Sequence, residues 1–379
     1  MQTIREDIHE NILRELIQID SSHPLGNEMD VVRYIVSHIE ELGLDYSIID
    51  HGDNRGSLVV RMMGEERGAT AFIGHIDTVA VEDAQLWKYP PFEGVIEGEH
   101  MYGRGTSDMK GGAAAMILTI KHLSENNIVP KRDTYFFFTA DEEKNGMGMN
   151  AIIGSGMYED ISEIFIAEPT DMAIGIKEKG ALWMSFEAVG RAAHASRPDL
   201  GINSVEGLMR FLTILKTRLP RGCDEMLGCN TAQVTVFEGG IQTNIIPSHA
   251  KAVLDIRSVS DNFDEIIRIV ETAIDDVRID FPGIDIRYVV ENHRPYLEIQ
   301  KDSELVKRVE SVYEKLGKAA ELKGINFYTD ASQAVPHYNV PFVILGPGYD
   351  EMCHKRDEMM KVSQVLEAAQ IYVNYVCEY

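Results

Sequence analysis

The chain has 379 residues, 44% of them hydrophobic, which is enough for one large domain or two ordinary ones with a full core. Its net charge of -25 excludes the basic surface that binding to nucleic acid or to an anionic membrane requires. The N-terminal residues show no signal-peptide pattern, and no apolar run approaches the roughly 20 residues of a membrane span. We therefore expect a cytoplasmic protein with no nucleic-acid or membrane partner.

The cysteines give a further expectation about the compartment. Cys223, Cys229, Cys353 and Cys377 have neither zinc-ribbon nor disulfide-framework spacing. We interpret them as reduced thiols, which is typical of cytoplasmic proteins. A bond between Cys223 and Cys229 is the alternative.

The first part of the chain alternates between helical and extended patterns. Apolar periodicity predicts helices over residues 4–20, 29–42 and 110–124, and strands over 46–49, 57–62, 70–73, 134–139 and 161–167. This alternation predicts an α/β fold with a mixed or parallel sheet. In such sheets the loops at the carboxyl ends of the strands hold the active site.

A different pattern follows. Residues 181–290 predict a β-α-β-β-α-β order, with strands at 181–189, 231–237, 250–257 and 284–290 and helices at 204–218 and 263–280. This order is typical of an inserted ferredoxin-like α+β domain. A helix at 303–316, a strand at 342–345 and a helix at 362–376 then resume the first pattern. We place the catalytic domain at 1–174 and 293–379, and the inserted domain at 175–292.

An electrostatic problem lies after the strand 134–139. Three acidic side chains, Asp141, Glu142 and Glu143, are consecutive there. Burial and like charge both oppose the ionisation of a carboxylate. A bound cation or a solvated loop would relieve that cost.

Other acidic and histidine positions also follow predicted strands or glycine-rich loops. Each has a plain structural explanation: His75 as a satisfied loop histidine, Asp108 as a helix cap, Glu168 and Glu143 as solvated acids, His354 as a surface residue. Taken together, two histidines and several carboxylates suit a borderline divalent cation.

Five motifs occur in a family order. Gly-His-Ile-Asp-Thr-Val stands at 74–79, Gly-Arg-Gly-Thr-Ser-Asp-Met-Lys-Gly at 103–111, Asp-Glu-Glu at 141–143, Glu-Pro-Thr at 168–170, and a distal histidine at 354. With these motifs the chain resembles, over nearly its whole length, the M20 family of dizinc hydrolases.

The resemblance implies two divalent metal ions, zinc in the first place, with cobalt or manganese as alternatives. Asp108 would bridge them, Glu143 and His354 would complete one site, and His75 and Glu168 the other. It also implies a cis peptide bond after Asp108.

The resemblance further assigns catalytic roles. Asp77 would orient the imidazole of His75, and Glu142 would be the general base that takes a proton from a metal-bound water and passes it to the leaving amine. His194 would reach the active site of a partner subunit and stabilise the oxyanion. The protein would then be a homodimer that pairs through the inserted domain, which would also act as a lid.

Asn244, Arg257 and, more weakly, Lys179 match positions that contact substrate. An arginine suits bidentate binding of a carboxylate, although a structural salt bridge is an equal alternative for Arg257. Two departures from the family fall in the substrate region: Lys355-Arg356 after the distal histidine, and Tyr328 where glycine is usual.

Together these features predict a metal-dependent amidohydrolase that removes the acyl group from an N-acyl amino acid of the acetylornithine or succinyl-diaminopimelate type. A dipeptidase or carboxypeptidase of the same family is the alternative. A catalytically silent binding protein of this fold is a remote one, because no ligand or base is lost.

Overall fold

We analysed a computed structural model, which describes residues 9–379. The start of the helix predicted at 4–20 lies outside the described residues. The chain divides into two compact units. The large unit comprises the residues up to Lys177 together with Glu298–Ile325 and Thr329–Tyr379, and the small unit comprises Glu178–Leu297 and Asn326–Tyr328.

The helices of the described residues are, in chain order, α1 (His9–Gln18), α2 (Glu28–Ile39), α3 (Gly111–Glu125), α4 (Met147–Ser155), α5 (Ser204–Arg218), α6 (Phe263–Asp280), α7 (Glu304–Lys315), α8 (Ala331–Tyr338) and α9 (Ser363–Glu378). The strands are β1 (Asp45–Gly52), β2 (Arg55–Met62), β3 (Glu66–His75), β4 (Val95–Glu97), β5 (His100–Tyr102), β6 (Arg132–Thr139), β7 (Ile161–Ile166), β8 (Ile174–Glu178), β9 (Gly180–Val189), β10 (Cys223–Asp224), β11 (Gly228–Cys229), β12 (Thr231–Gly239), β13 (His249–Ser258), β14 (Asp285–Arg294), β15 (Leu297–Glu298), β16 (Leu322–Ile325), β17 (Phe342–Ile344) and β18 (Met359–Lys361).

The large unit is built on a mixed sheet, as predicted. Its strand order is β1-β2-β6-β3-β7-β17-β8-β15, and β16 pairs with β8. The central strands β6, β3, β7 and β17 are parallel. Strand β2 pairs antiparallel with β6, and β1 pairs antiparallel with β2. Phe72 on β3 packs between Phe136 and Phe165 of the neighbouring strands and against Tyr372 of α9. Burial on both faces explains why these strands are almost continuously apolar.

The small unit has its own core. Its antiparallel sheet has the order β12-β13-β9-β14. Helices α5 and α6 cover one face, and the buried residues there include Met184, Phe186, Phe211 and Leu254. Along the chain the main elements follow the β-α-β-β-α-β order that the sequence predicts.

The ends of the small unit differ from the predicted insertion of 175–292. Strand β8 pairs with β17 of the large sheet, so Gly175 belongs to the large unit. At the other end, β14 continues to Arg294 and the small unit to Leu297. Strand β8 is too short to show an alternating pattern of apolar residues, so the sequence did not distinguish it from the first strand of the small unit.

The prediction of four reduced cysteines is wrong for one pair. Cys223 and Cys229 lie directly opposite each other on β10 and β11 and form a disulfide bond. The turn between these two short strands brings the cysteines together, which spacing alone does not reveal. Cys353 and Cys377 are free thiols. Among residues 9–379 there is no helix with the length and apolar character needed to cross a bilayer.

Candidate metal centre

The predicted metal ligands of the large unit converge at one edge of its sheet. His75 is the last residue of β3 and pairs with Thr139 at the end of β6. The Asp141-Glu142-Glu143 run directly follows β6, and Glu168 follows β7. Because these strands are parallel, their carboxyl ends lie side by side. The structure thus brings together residues that are far apart in sequence.

Asp108 lies between the two histidines. Its Oδ1 is 3.1 Å from His75 Nε2, and its Oδ2 is 3.2 Å from His354 Nε2. The same nitrogen of His354 is 2.9 Å from Glu143 Oε2, and that of His75 is 3.4 Å from Glu168 Oε1. Asp108 does not cap α3, which begins without a side-chain cap. Each oxygen of Asp108 therefore faces one histidine–glutamate pair, which is the arrangement that a bridging carboxylate needs.

Asp77 contacts the centre differently from the prediction. The Nδ1 of His75 is 3.0 Å from the main-chain oxygen of Asp77 but 3.6 Å from its carboxylate. The carboxylate instead accepts hydrogen bonds from the backbone N–H groups of Glu142 and Glu143, each at 3.2 Å. Its Oδ2 is also 3.0 Å from His23 Nε2. Asp77 therefore orients His75 through its main chain and holds the acidic turn with its side chain.

The electrostatics of the centre are those of carboxylates removed from water. Burial raises the pKa values of Glu142 and Glu168 well above their ordinary range, and the charge of His75 only partly opposes this. For Asp108, hydrogen bonds from the two histidines outweigh burial and lower the pKa. Burial alone would lower the pKa of His354, but its hydrogen bonds with Asp108 and Glu143 outweigh burial and raise the pKa to about 11. A cation at this place would offset the cost of ionising the glutamates.

The donor set fits divalent cations. Two groups of side chains have ligand atoms within 4.8 Å of one another: His75 with Asp108 and Glu143, and His75 with Glu142 and Glu168. The buried atoms Glu143 Oε1 and Glu168 Oε2 have no hydrogen-bond partner within the described part of the chain. Nitrogen and carboxylate donors with unused lone pairs suit zinc-like ions.

A third acidic group is already neutralised by an arginine. His23, Glu28 and Asp77 lie equally close together, but Arg55 donates to both oxygens of Glu28. Arg55 Nη1 also donates to Asp141 Oδ1 at 2.9 Å. This contact gives a role to Asp141, for which the sequence indicated none beyond the turn. Arg55 thus holds Asp141, the first residue of the acidic run.

Glu358 is the important residue that the sequence reasoning did not single out. Its buried carboxylate accepts hydrogen bonds from the backbone N–H groups of Gly105 at 3.0 Å, Ser107 at 2.8 Å and Asp108 at 3.0 Å. Arg104 pairs with the same carboxylate at 2.7 Å. Glu358 thus fixes the loop that presents Asp108, and the peptide bond after Asp108 is cis, as the resemblance implied. The only signal was that Asp357-Glu358 fits the family pattern after the distal histidine.

Two of the four predicted residues of the small unit lie on segments that are bonded to each other, and the other two have separate partners. The segments carrying His194 and Asn244 are bonded to each other, with Ala195 N donating to Asn244 O at 2.9 Å, and His194 is exposed. Arg257 makes a two-point salt bridge with Asp255, at 2.7 and 3.0 Å, which is the alternative that the sequence left open. Lys179 donates to the main-chain oxygen of Cys229 at 2.8 Å. Burial lowers the pKa of Lys179, and the charge of Arg257 lowers it further.

A mixed α/β sheet with two histidines and four acidic side chains at its carboxyl edge defines a metal-dependent hydrolase. The chain belongs to peptidase family M20/M25/M40, whose sequence profile matches residues 71–378.

Individual relatives agree with this assignment. A Staphylococcus aureus protein named "probable succinyl-diaminopimelate desuccinylase" is 27% identical, over 98% of this chain and 97% of its own. A tripeptidase structure from Staphylococcus aureus superposes with a TM-score of 0.82 at 22% identity, covering 99% of this chain and 98% of its own. A Bacillus subtilis M20 peptidase, described as dinuclear metal binding, gives 0.72 at 18% identity, with 97% and 96% covered.

Proposed function

We propose that the protein is a metal-dependent amidohydrolase that removes the acyl group from an N-acyl amino acid, of the acetylornithine or succinyl-diaminopimelate type. The observation that carries this proposal is Asp108 between two histidine–glutamate pairs, with Glu142 beside them. The desuccinylase name of the 27% identical relative supports a deacylase. At that identity the substrate of the relative is a guide for this chain and no more.

The protein residues divide into ligands and a base. Asp108 would be shared by two divalent ions, with Glu143 and His354 on one side and His75 and Glu168 on the other. We propose zinc, with cobalt or manganese as alternatives. When bound, the ions would polarise the amide carbonyl and acidify the attacking water.

We propose Glu142 as the base because it precedes the ligand Glu143 directly and its carboxylate lies within 4.8 Å of ligand atoms of His75 and Glu168. Asp77 accepts from the consecutive N–H groups of Glu142 and Glu143, so the turn holds both residues in place. The Glu142 carboxylate takes a proton from water and delivers it to the departing amine nitrogen. Burial raises the pKa of Glu142, which favours acceptance of a proton by its carboxylate.

The small unit would supply substrate contacts and the subunit interface. We propose that His194 stabilises the oxyanion of a partner subunit's substrate, and that Asn244, Arg257 and Lys179 contact the substrate. Strand β12 is an edge strand with exposed apolar side chains at Val236 and Phe237, and Ile241 beyond it is 88% exposed. Such an edge supports pairing of two chains into a homodimer. We propose a cytoplasmic location for this dimer.

A dipeptidase or carboxypeptidase is the second candidate. A tripeptidase has the same fold, and the same chemistry of amide hydrolysis would cleave a peptide bond. A silent binding protein is disfavoured, since each predicted ligand and the base are retained in place.

The test is a substrate panel with defined metal content. The full-length protein, stripped by a chelator and reloaded with zinc, cobalt or manganese, is assayed on N-acetyl and N-succinyl amino acids and on dipeptides. We expect hydrolysis of N-acyl amino acids that disappears after chelation and returns with the ion. Activity that persists after complete metal removal would contradict the proposal, and activity on dipeptides alone would favour the second candidate.

A further inference from the structure

The sheet of the small unit has one face without helices. On β9, Leu182, Met184 and Phe186 lie in the core with α5 and α6. Side chains alternate along a strand, so Ala181 and Trp183 lie on the opposite face. On β13 the core residues are Leu254 and Ile256, which places Asp255 and Arg257 on that opposite face.

A β-bulge turns two further polar side chains to this face, opposite α5 and α6. The register between β14 and β9 shifts between Val290 and Asn292. Beyond the shift, Asn292 lies opposite Trp183 and Arg294 opposite Ala181. His293, between them, stacks on Phe263 of α6 at 4.2 Å, on the helix side. Bulges that re-aim side chains occur preferentially next to functional sites.

Tyr328 lies on this face between two guanidinium groups. Ala181 separates Arg257 from Arg294 in one cross-strand row. The ring of Tyr328 is 5.7 Å from Arg257 Cζ and 5.4 Å from Arg294 Cζ, and its centroid is 6.1 Å from that of Trp183. This is the tyrosine that replaces the usual glycine of the family. The departure therefore builds a cationic, aromatic surface in this chain.

Three N–H donors of this face have no hydrogen-bond partner among residues 9–379. They are Trp183 Nε1, Asn292 Nδ2 and Arg294 Nε, each buried in the structure. Arg294 is only 7% exposed, and buried donors without acceptors are rare and costly. Arg257, by contrast, is occupied by Asp255 at two points. An oxygen-rich anion would supply the missing acceptors.

The charges of the face point to the same ligand. Two cross-strand rows run over this face, one through Trp183 and one through Ala181. Together they contain one carboxylate, Asp255, and two cations, Arg257 and Arg294. Lys179, two residues before Ala181, adds a third cation and is 7% exposed. Within these two rows the cations outnumber the carboxylate, which favours an anionic ligand.

We infer that this face, defined by Lys179, Trp183, Arg257, Asn292, Arg294 and Tyr328, binds a second carboxylate of the substrate, with Arg294 as its principal ligand. This inference rests on the proposed function and narrows it to amides that carry two carboxylates. Guanidinium and carboxylate form charge-assisted, two-point hydrogen bonds, so an amide isostere in place of the carboxylate would bind poorly.

The test uses two pairs of isosteric substrates and a matched arginine variant. One pair is N-succinylalanine and N-succinamoylalanine, and the other is N-acetylglutamate and N-acetylglutamine. Each pair differs only in one carboxylate, on the acyl side or on the amino acid side. The variant is Arg294→Gln, and the control is Arg287→Gln, an exposed arginine of the same strand that pairs with Asp285.

We expect Arg294→Gln to lower kcat/KM for the acid of one pair by roughly 10- to 100-fold, mostly through KM, and to leave its amide nearly unchanged. The pair of substrates that is affected shows whether the recognised carboxylate lies on the acyl side or on the amino acid side of the amide bond. Arg294→Lys should retain more of the preference than Arg294→Gln, and Arg287→Gln should behave as wild type. Equal losses on acid and amide in both pairs would overturn the inference, as would an equal effect of Arg287→Gln.

Two further measurements separate this inference from the proposed function and from misfolding. Trp183→Phe keeps an aromatic side chain but removes the indole N–H together with part of the ring system, so it should lower the acid preference by a smaller factor. If neither these four compounds nor the wider panel of N-acyl amino acids is hydrolysed, the proposed function fails, and calorimetric binding of succinate to the full-length protein then tests this inference by itself. Binding that Arg294→Gln weakens at least tenfold supports the site, whereas absent or unchanged binding overturns it.

Discussion

Asp77 makes contacts with three parts of the centre through its carboxylate and its main chain. Its carboxylate holds the backbone of Glu142 and Glu143 and contacts His23 Nε2 at 3.0 Å, while its main-chain oxygen lies 3.0 Å from Nδ1 of His75. One buried residue thereby holds His75 and the turn that carries the proposed base. Because Glu142 and Glu143 are consecutive, one can face the ions while the other faces the water.

Replacement of the base separates chemistry from metal binding. Glu142→Gln keeps the size of the side chain but cannot accept a proton, so kcat should fall on the order of 10²- to 10⁴-fold. The metal content should stay at two ions per chain, because Glu142 is not among the proposed ligands. Steady-state kinetics on the N-acyl amino acid and elemental analysis of the same preparation provide the check.

The control for this variant is Glu41→Gln, an exposed glutamate after α2. It should retain wild-type kcat. A Glu142→Gln protein with near wild-type turnover would remove Glu142 from the mechanism, and one that lost both ions would make it a ligand instead.

At the scale of elements, the loop before α3 is held by Glu358, a residue distant from it in sequence. Residues 103–110 connect β5 to α3 and carry Asp108, and Glu358 fixes this loop through three backbone N–H groups and Arg104. Burial raises the pKa of Glu358 to about 7, which the charge of Arg104 only partly opposes. The loop therefore depends on a contact between segments about 250 residues apart.

Loss of this anchor should destabilise the fold. Glu358→Gln removes the negative charge opposite Arg104 and places an amide N–H₂ group near backbone donors. The free energy of unfolding should fall by about 2–4 kcal/mol. Urea denaturation of both proteins measures it, with Glu351→Gln, an exposed acid nearby, as the control. Identical midpoints for Glu358→Gln and wild type would contradict this anchoring role.

The family resemblance singled out His75 and Glu168, and the periodicity of the sequence placed both after strands. The sequence could not predict partners from remote segments, such as Arg55 for Asp141 or Glu358 for Arg104, because Arg55 and Glu358 lie outside the five motifs and resemble ordinary surface residues. The bulge in β14 shows the same limit. Strict alternation would place Arg294 with the core residues, and only the register shift reveals its true face.

At the scale of the whole molecule, the two units present different surfaces. The large unit carries the acidic centre, whereas the small unit carries the cationic face and an exposed apolar edge. His194 lies on the small unit, on a segment bonded to that of Asn244. If two chains pair through the edge strand β12, each can offer His194 to the other.

Subunit mixing tests this arrangement. Neither Glu142→Gln nor His194→Ala chains should turn over substrate efficiently alone. In a mixed dimer one site combines an intact Glu142 with the intact His194 of the other chain. Random exchange of equal amounts makes half of the dimers mixed, each with one working site of two, so about a quarter of wild-type activity should return.

The matched control mixes His194→Ala with a chain that carries both substitutions. No site in that mixture has an intact histidine from the partner, so activity should stay at the level of the single variants. Native mass spectrometry of tagged chains measures exchange independently of activity. Exchange without recovery in the first mixture would place His194 outside the partner's site, and equal recovery in both mixtures would show that the recovered activity does not depend on His194.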